Sequence, residues 1–310
     1  GECAWRGERR DALRVAAKLS IPLLTFDFEK QYRERVVKNL FAGYAAGQTP
    51  NPDVLCNEAI KFGLFFETAK KLGFDLMATG HYARVKFGKD GRAQLLRGVD
   101  PDKDQSYFLY RVAQEALART LFPVGELKKS AVRKLARKFN LPVAEKPDSQ
   151  GVCFIGKLDM GEFLRKKIPA RPGDIMDPKG EIIGRHTGLD QYTIGQRQGM
   201  GLDVGGHTWY VADKDIKKNR LIVVPHAEHP LLFRSEFLVH DARWIKGTAP
   251  KMPVRATVQI RYRQPAEKAV IEQAGKDIRV HLNKPIRAVA PGQSAVFYQK
   301  DICLGGGIIV

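Results

Sequence analysis

The chain has 310 residues, 44% hydrophobic and 28% charged; such a composition folds, which excludes a disordered, collagen-like or coiled-coil protein. Its 52 basic and 34 acidic residues leave a net charge of +18, and so basic a surface attracts polyanions, nucleic acid first among them. No apolar run approaches the roughly 20 residues that span a bilayer, and the opening GECAWRGERR holds no signal-peptide core.

Four cysteines lie far apart, at positions 3, 56, 153 and 303, with no C-x-x-C pair. A structural zinc site is not expected from them. Few cysteines and no secretory signal point to a reduced, cytoplasmic setting with no membrane partner.

In chain order, Ala12, Leu13, Ala16 and Ala17 recur at helical spacing and predict a helix over Arg9–Leu19. The apolar run Ile21–Phe28 predicts a buried strand. Tyr32, Val36, Leu40, Phe41 and Tyr44 share one face of a helix from Gln31 to Ala45. The turn-rich stretch Gly47–Asp53 follows, then a helix to about Leu72 with Gly73 as its C-cap. Phe74–Thr79 reads as the next strand, broken at Gly80-His81. This alternation predicts an α/β domain with a parallel sheet.

A further helix is predicted near Leu127–Phe139. It carries Lys128, Lys129, Arg133, Lys134, Arg137 and Lys138 with no intervening acid, and Leu135, Ala136 and Phe139 are its expected buried stripe. The like charges repel one another, and an RNA backbone would relieve that; a merely solvated face is the alternative. After Ile168 the texture changes. Pro169–Ile175 reads as a linker into a small module ending near Pro225, and the short runs RATVQIRYR, KAVIEQ, IRVHL and QSAVFY predict a small β-barrel. The expected domains are 1–165, 166–228 and 229–310.

Cys56 lies in TPNPDVLCN, where Asp53 can cap the following helix and the positive helix end would favour a thiolate. The alternative is a thiol buried as a small hydrophobe. Cys153 lies in the turn-forming KPDSQGVCFIG, and chain spacing does not show whether the two thiols meet. ATGHYAR leaves a strand end through Gly80, where ligands of open α/β sheets bind, and His81 can contact a phosphate or a base. KDQSYFLY joins a polar tip to aromatic residues, and in RYRQ two guanidiniums flank one ring, a surface suited to stacking and phosphate contact.

Taken together and in order, TPNPDVLCN, ATGHYAR, KDQSYFLY, LFPVGELKK, DSQGVCFIG, GLDQYTIGQRQGMG, RYRQ, PGQSAVFY and CLGGGII resemble the tRNA-specific 2-thiouridylase family (MnmA-type) from about Asp11 to the C-terminus. The resemblance implies a nucleotide-hydrolase-like (PP-loop) α/β domain, a small central tRNA-binding module and a C-terminal β-barrel. It implies an enzyme that uses ATP and Mg²⁺ to replace the C2 oxygen of the wobble uridine by sulfur. Its partners would be the tRNA anticodon stem-loop and a sulfur-relay donor protein. By motif, Cys153 would carry the persulfide and Cys56 would be the partner nucleophile that forms a disulfide with it. Asn51, Pro52 and Asp53 would contact the target base, with Asp53 assisting proton transfer. Gly80 would touch ATP. His81, Lys103, Asp104, Gln105, Arg261, Tyr262 and Gln293 would contact tRNA.

The family begins with a strand, a phosphate loop of SGG-x-DS type, a helix and a second strand, and no such loop occurs in this sequence. The chain is therefore expected to be an N-terminally truncated version that binds ATP poorly, is inactive alone, and leaves Ile21–Phe28 and Phe74–Thr79 without neighbouring strands and with exposed apolar edges. The alternative function is a catalytically dead tRNA-binding remnant.

Overall fold

A computed structural model describes residues 4–147, 160–202 and 204–310. The first segment is largely helical. Helix Ala4–Leu19 covers the predicted one. Glu29–Tyr32, a π-helical stretch Arg33–Val37 and Lys38–Ala45 follow one another as predicted. Pro52–Cys56, Asn57–Phe65 and Phe66–Lys71 form the next helical run, and Gly73 follows it at a φ of +84°, the left-handed conformation of a helix stop.

The two strands predicted here are not buried strands, and most of their apolar residues are exposed, as expected of segments that lack neighbours. Ile21–Phe28 forms no strand, and Ile21 and Leu24 are 55% and 61% exposed. A strand needs a neighbour for its backbone N–H and C=O groups, and no described strand runs beside this segment. Only Met77–Ala78 (β1) of the predicted Phe74–Thr79 strand is regular. It pairs in parallel with Thr120–Leu121 (β4), while Phe74 and Leu76 stay exposed. Between them, Ala83–Phe87 (β2) and Ala93–Arg97 (β3) form an antiparallel hairpin.

The basic helix spans Lys129–Lys138 and buries none of its residues. Leu135 and Phe139, expected as its buried stripe, are 39% and 57% exposed. The helix is held instead by arginines. Arg133 donates to the Ala144 and Lys146 carbonyls, and Arg137 pairs with Glu145.

The central segment forms a four-stranded sheet of Gly173–Met176 (β5), Ile182–His186 (β6), Tyr210–Asp215 (β7) and Arg220–Val224 (β8), in the order β6-β5-β8-β7. Ile175, Val211, Leu221 and Val223 are fully buried in its core.

The C-terminal strands are Phe233–Trp244 (β9), Val254–Gln259 (β10), Glu267–Ala274 (β11), Asp277–Arg287 (β12), Ser294–Gln299 (β13) and Ile302–Ile309 (β14). They run β13-β10-β11-β12-β9-β14, and β14 pairs back onto β13, closing a six-stranded barrel without free edges. β3 adds to β14, pairing Leu96 with Ile302 and Leu95 with Cys303. The barrel and the first domain therefore share a core that contains Val54, Phe62, Leu95, Tyr107, Tyr110, Tyr298 and Cys303. RYRQ lies beyond the end of β10 in a turn, with Arg263 at a φ of +64°.

Candidate functional site

All three parts of the chain meet at Gly47–Asp53. Gly47 takes a φ of +75° after the preceding helix, which Gly tolerates without steric cost. Its carbonyl accepts from Lys214 Nζ on β7 at 3.1 Å. The Thr49 hydroxyl meets that of Thr193 in the central module at 3.2 Å. From the barrel, Pro291 accepts the Thr49 N–H at 2.9 Å, and Gln293 Nε2 donates to the Thr49 carbonyl at 2.7 Å. Gly292 sits between them at a φ of +89°, where a Cβ would lie 2.7 Å from the Thr49 nitrogen.

This loop ends in a helix start. Asn51 has extended backbone and its Oδ1 accepts from the Asp53 and Val54 N–H groups, at 3.1 and 3.3 Å, with Pro52 in the first turn. Asn51, not Asp53, is therefore the cap: Pro52 has no N–H to offer and its fixed φ suits the first helical position. Asp53 falls in the first turn, where the helix dipole favours its charge.

Cys56 lies at the end of the Pro52–Cys56 segment, past the first turn. It is fully buried in a cluster with Tyr32, Val36 and Ile60, against the half-buried Phe28 and Leu64. Next to it, Asn57 Nδ2 donates to the Phe108 carbonyl at 3.1 Å. Two residues on, Glu58 accepts from Arg111 Nε at 2.6 Å, and the same guanidinium reaches Asp241 of the barrel at 2.8 Å. Cys153 lies outside the described residues.

A second group surrounds the end of β1. Gly80 is exposed, and a Cβ there would meet nothing within 4 Å. His81 is buried between the rings of Phe62 and Phe122, with Nδ1 2.9 Å from the Thr79 hydroxyl. Burial first, and the Lys61 charge second, pull its imidazole down to about 3, so the ring is neutral. Gln105 Oε1 accepts the Tyr82 N–H at 2.9 Å, which sets Lys103–Gln105 beside His81.

Asp104 faces inward. Its carboxylate pairs with Arg97 at 2.8 Å and accepts from the Gly98 and Ser106 N–H groups and the Ser106 hydroxyl. Lys103 is half-buried.

Near the first group, Arg261 donates to the Ile194 carbonyl at 2.6 Å. The Tyr262 ring packs on Phe108 at 4.6 Å, with the Arg263 guanidinium 5.1 Å from its centre. Tyr107 lies beneath, its hydroxyl donating to the Ser294 carbonyl at 3.0 Å and also within reach of the Asn51 side chain. Burial pushes its phenol up, so it acts as a fixed donor rather than a base.

Asn51, Pro52, Asp53, Arg261, Tyr262 and Gln293 thus converge, and Gly80, His81 and Lys103–Gln105 form their own group. Sequence reasoning missed Thr193, Lys214 and Gly292, and gave no notice of Arg287, which donates to the Ala227 and Gly195 carbonyls. Thr193 stood inside the motif GLDQYTIGQ, and Gly292 inside PGQSAVFY. Lys214 and Arg287 carried no local signal in a chain with 52 basic residues.

Three family models match the chain. Residues 1–157 match a tRNA methyl transferase HUP domain, 161–225 a tRNA methyl transferase PRC-barrel domain, and 234–309 an aminomethyltransferase beta-barrel domain. Among curated relatives, a tRNA-specific 2-thiouridylase MnmA from Pseudomonas fluorescens is 47% identical over 99% of this chain and 83% of its own length. Proteins of the same name from Pseudomonas aeruginosa and Stutzerimonas stutzeri are 47% and 46% identical, again over 99% of this chain and 83% of their own lengths.

Proposed function

The chain belongs to the tRNA-specific 2-thiouridylase family, and on that premise we propose that it is a tRNA sulfurtransferase that replaces the C2 oxygen of the wobble uridine by sulfur at the loop Gln48–Asp53. One observation carries the placement: all three parts of the chain grip this loop, through Lys214, Thr193, Pro291 and Gln293. A loop fixed from three sides can hold a reacting base in one geometry.

The target base must leave its stack to be reached, as enzymes acting on a base require. Asn51 and Pro52 then form the floor, and Asp53 lies at the helix start, placed to hold or move a proton at the base. Arg261 and Tyr262 flank the same floor and suit a phosphate and a stacked ring. Asp104 and Gln105 act through the shape they give the Lys103 turn, because their side chains are engaged within the protein. Gln293 likewise acts by holding Thr49, and His81 offers the RNA a neutral edge.

A uridine C2 oxygen is a poor leaving group. ATP would supply the adenylyl group that activates it. Exposed Gly80, at the carboxyl end of β1, leaves open space that fits a close approach of that nucleotide. Mg²⁺ would enter with the nucleotide's phosphates. The sulfur would come from a donor protein and be carried by Cys153 as a persulfide. The terminal persulfide sulfur would bond to C2 as the activated oxygen leaves with AMP. The Cys56 thiolate would then attack the Cys153 Sγ, releasing the thiolated base and leaving a disulfide that an external thiol reduces.

The test is to incubate the protein with unmodified tRNA, ATP, Mg²⁺, a persulfide-loaded sulfur donor and a thiol reductant, then quantify 2-thiouridine by nucleoside mass spectrometry. Product from the wild-type protein, abolished in Cys56→Ser and in Cys153→Ser, is the outcome this reading requires, and it would overturn the expectation of an inactive chain drawn from the missing phosphate loop. Equal product from both variants would remove the cysteine relay. No product from wild-type protein that still binds tRNA would remove the reaction.

A further inference from the structure

Arg261 and Arg287 both reach across from the barrel to the same two-residue stretch of the central module. Arg261 donates to the Ile194 carbonyl at 2.6 Å, and Arg287 donates to the next carbonyl, Gly195, at 3.4 Å and to Ala227 at 3.1 Å. The Arg287 guanidinium also lies 4.9 Å from the centre of the Tyr210 ring. Gly195 has a φ of +85°, and a Cβ there would lie 2.5 Å from the Ala288 Cβ and 3.8 Å from the Arg261 guanidinium. The two modules therefore close tightly at this point, with both guanidiniums half-buried beside the seam.

Among the described residues neither arginine forms a salt bridge: they contact carbonyls and a ring. Each repels the other, and burial with that repulsion lowers the Arg261 pKa from its usual value. Other half-buried arginines of the chain meet acids, as Arg97 meets Asp104 and Arg111 meets Glu58 and Asp241, although Arg133 too is held by carbonyls. A pair of half-buried cations without a counter-charge is costly by itself, and an anion between them removes that cost. Carbonyl contacts use one N–H group of Arg261 and two of Arg287, leaving planar donor edges available for bidentate contact with a phosphate.

We propose that Arg261 and Arg287 together bind one RNA backbone phosphate, beside the target nucleotide, with Arg287 a phosphate-binding residue in its own right. This rests on the proposed action on tRNA. The pair lies near the Asn51 floor, because Arg261 and Arg287 hold Ile194 and Gly195, and the neighbouring Thr193 meets Thr49 of the loop. Extruding a base swings its flanking phosphates out of the helical path, and a two-arginine seat would fix the backbone in that turned-out form. The contact is electrostatic and specifies no sequence.

The experiment measures tRNA affinity against salt concentration for wild type, Arg287→Met and Arg287→Lys. Neutralising one phosphate contact lowers the salt slope by about one unit. Arg287→Met is expected to show that drop, and Arg287→Lys to restore the slope. In parallel, neutral methylphosphonates are placed one at a time along the anticodon loop of a stem-loop RNA. With wild-type protein, one position next to the target uridine is expected to weaken binding roughly tenfold, and that penalty should vanish with Arg287→Met. An arginine that only staples the modules would lower affinity without changing the slope, and an unchanged slope overturns the inference. If Arg287→Met fails to fold, the methylphosphonate scan on wild-type protein decides alone, and equal tolerance at every loop phosphate overturns it. Wild-type protein that does not bind tRNA at all contradicts the proposed function instead.

Discussion

Gln293 donates its side-chain amide to the Thr49 carbonyl at 2.7 Å, so the β-barrel holds the loop of a domain 244 positions earlier in the chain. Gln293→Ala removes one such bond, worth about 1 kcal/mol net, and frees one side of the loop. Turnover is expected to fall several-fold while the salt slope of tRNA binding stays unchanged, because no phosphate contact is lost. Single-turnover thiolation together with filter binding separates the two effects.

Asn51 serves two ends. Its Oδ1 caps the helix that carries Cys56, and in the proposed reaction it would also face the target base. Asn51→Ala should cost about 1 kcal/mol of stability from the lost cap. Asn51→Asp keeps the cap and should keep the melting temperature, yet lose turnover because the amide donor is gone. Thermal unfolding and thiolation assays on the pair read this directly; a full loss of stability in Asn51→Asp would count against the cap.

Lys214 and His81 carry pH signatures of the same sign in different ranges, since both are bases held down by burial. Burial pulls the Lys214 ammonium down to about 8, against a slight opposing pull from Asp190. Between about pH 8 and 10.5 the unfolded chain holds a proton that the folded one has released, so stability rises with pH across that window. In Lys214→Met this rise should be smaller. His81, held down to about 3, acts in the other range. As pH falls from 6.5 toward 3 the unfolded chain binds a proton that the folded one refuses, and stability falls. His81→Asn should soften that acid loss, and NMR of the wild-type imidazole should show no titration between pH 5 and 8. Denaturant midpoints across both ranges check the two residues.

Cys56 and Cys303 are both fully buried. Burial pushes the Cys303 thiol up to about 12, so it is inert at neutral pH. Peptide mass spectrometry after brief iodoacetamide treatment should find both unmodified in the native protein and both modified in urea. Fast native labelling of Cys56 would mean that its cover of Tyr32, Val36 and Ile60 opens readily.

The helices were legible because their apolar positions repeat at 3.6 residues, as Val36 and Leu40 do, and both are buried. The barrel strands were legible from alternation, as in RATVQ and KAVIE. Ile21–Phe28 misled because an apolar run states a wish for burial and not a partner, and no described strand pairs with it. Leu135 and Phe139 misled for a related reason: helical spacing marks a face without showing what covers it. At the site, Asn51–Asp53 could be found from local turn chemistry. Lys214 and Arg287 could not, because each matters only through a contact with a distant carbonyl. Arg261 was singled out beside Tyr262, but its seat against Ile194 depends on how the barrel meets the central module.

The most direct measurement is photocrosslinking with 5-bromouridine at the wobble position of an anticodon stem-loop, mapped by peptide mass spectrometry. The adduct is expected within the stretch from Gln48 to Asn57, at the junction where Lys214, Thr193 and Gln293 converge. An adduct confined to the outer face of the barrel or to the central sheet, with residues 48–57 unmodified, would contradict the placement of the reacting base.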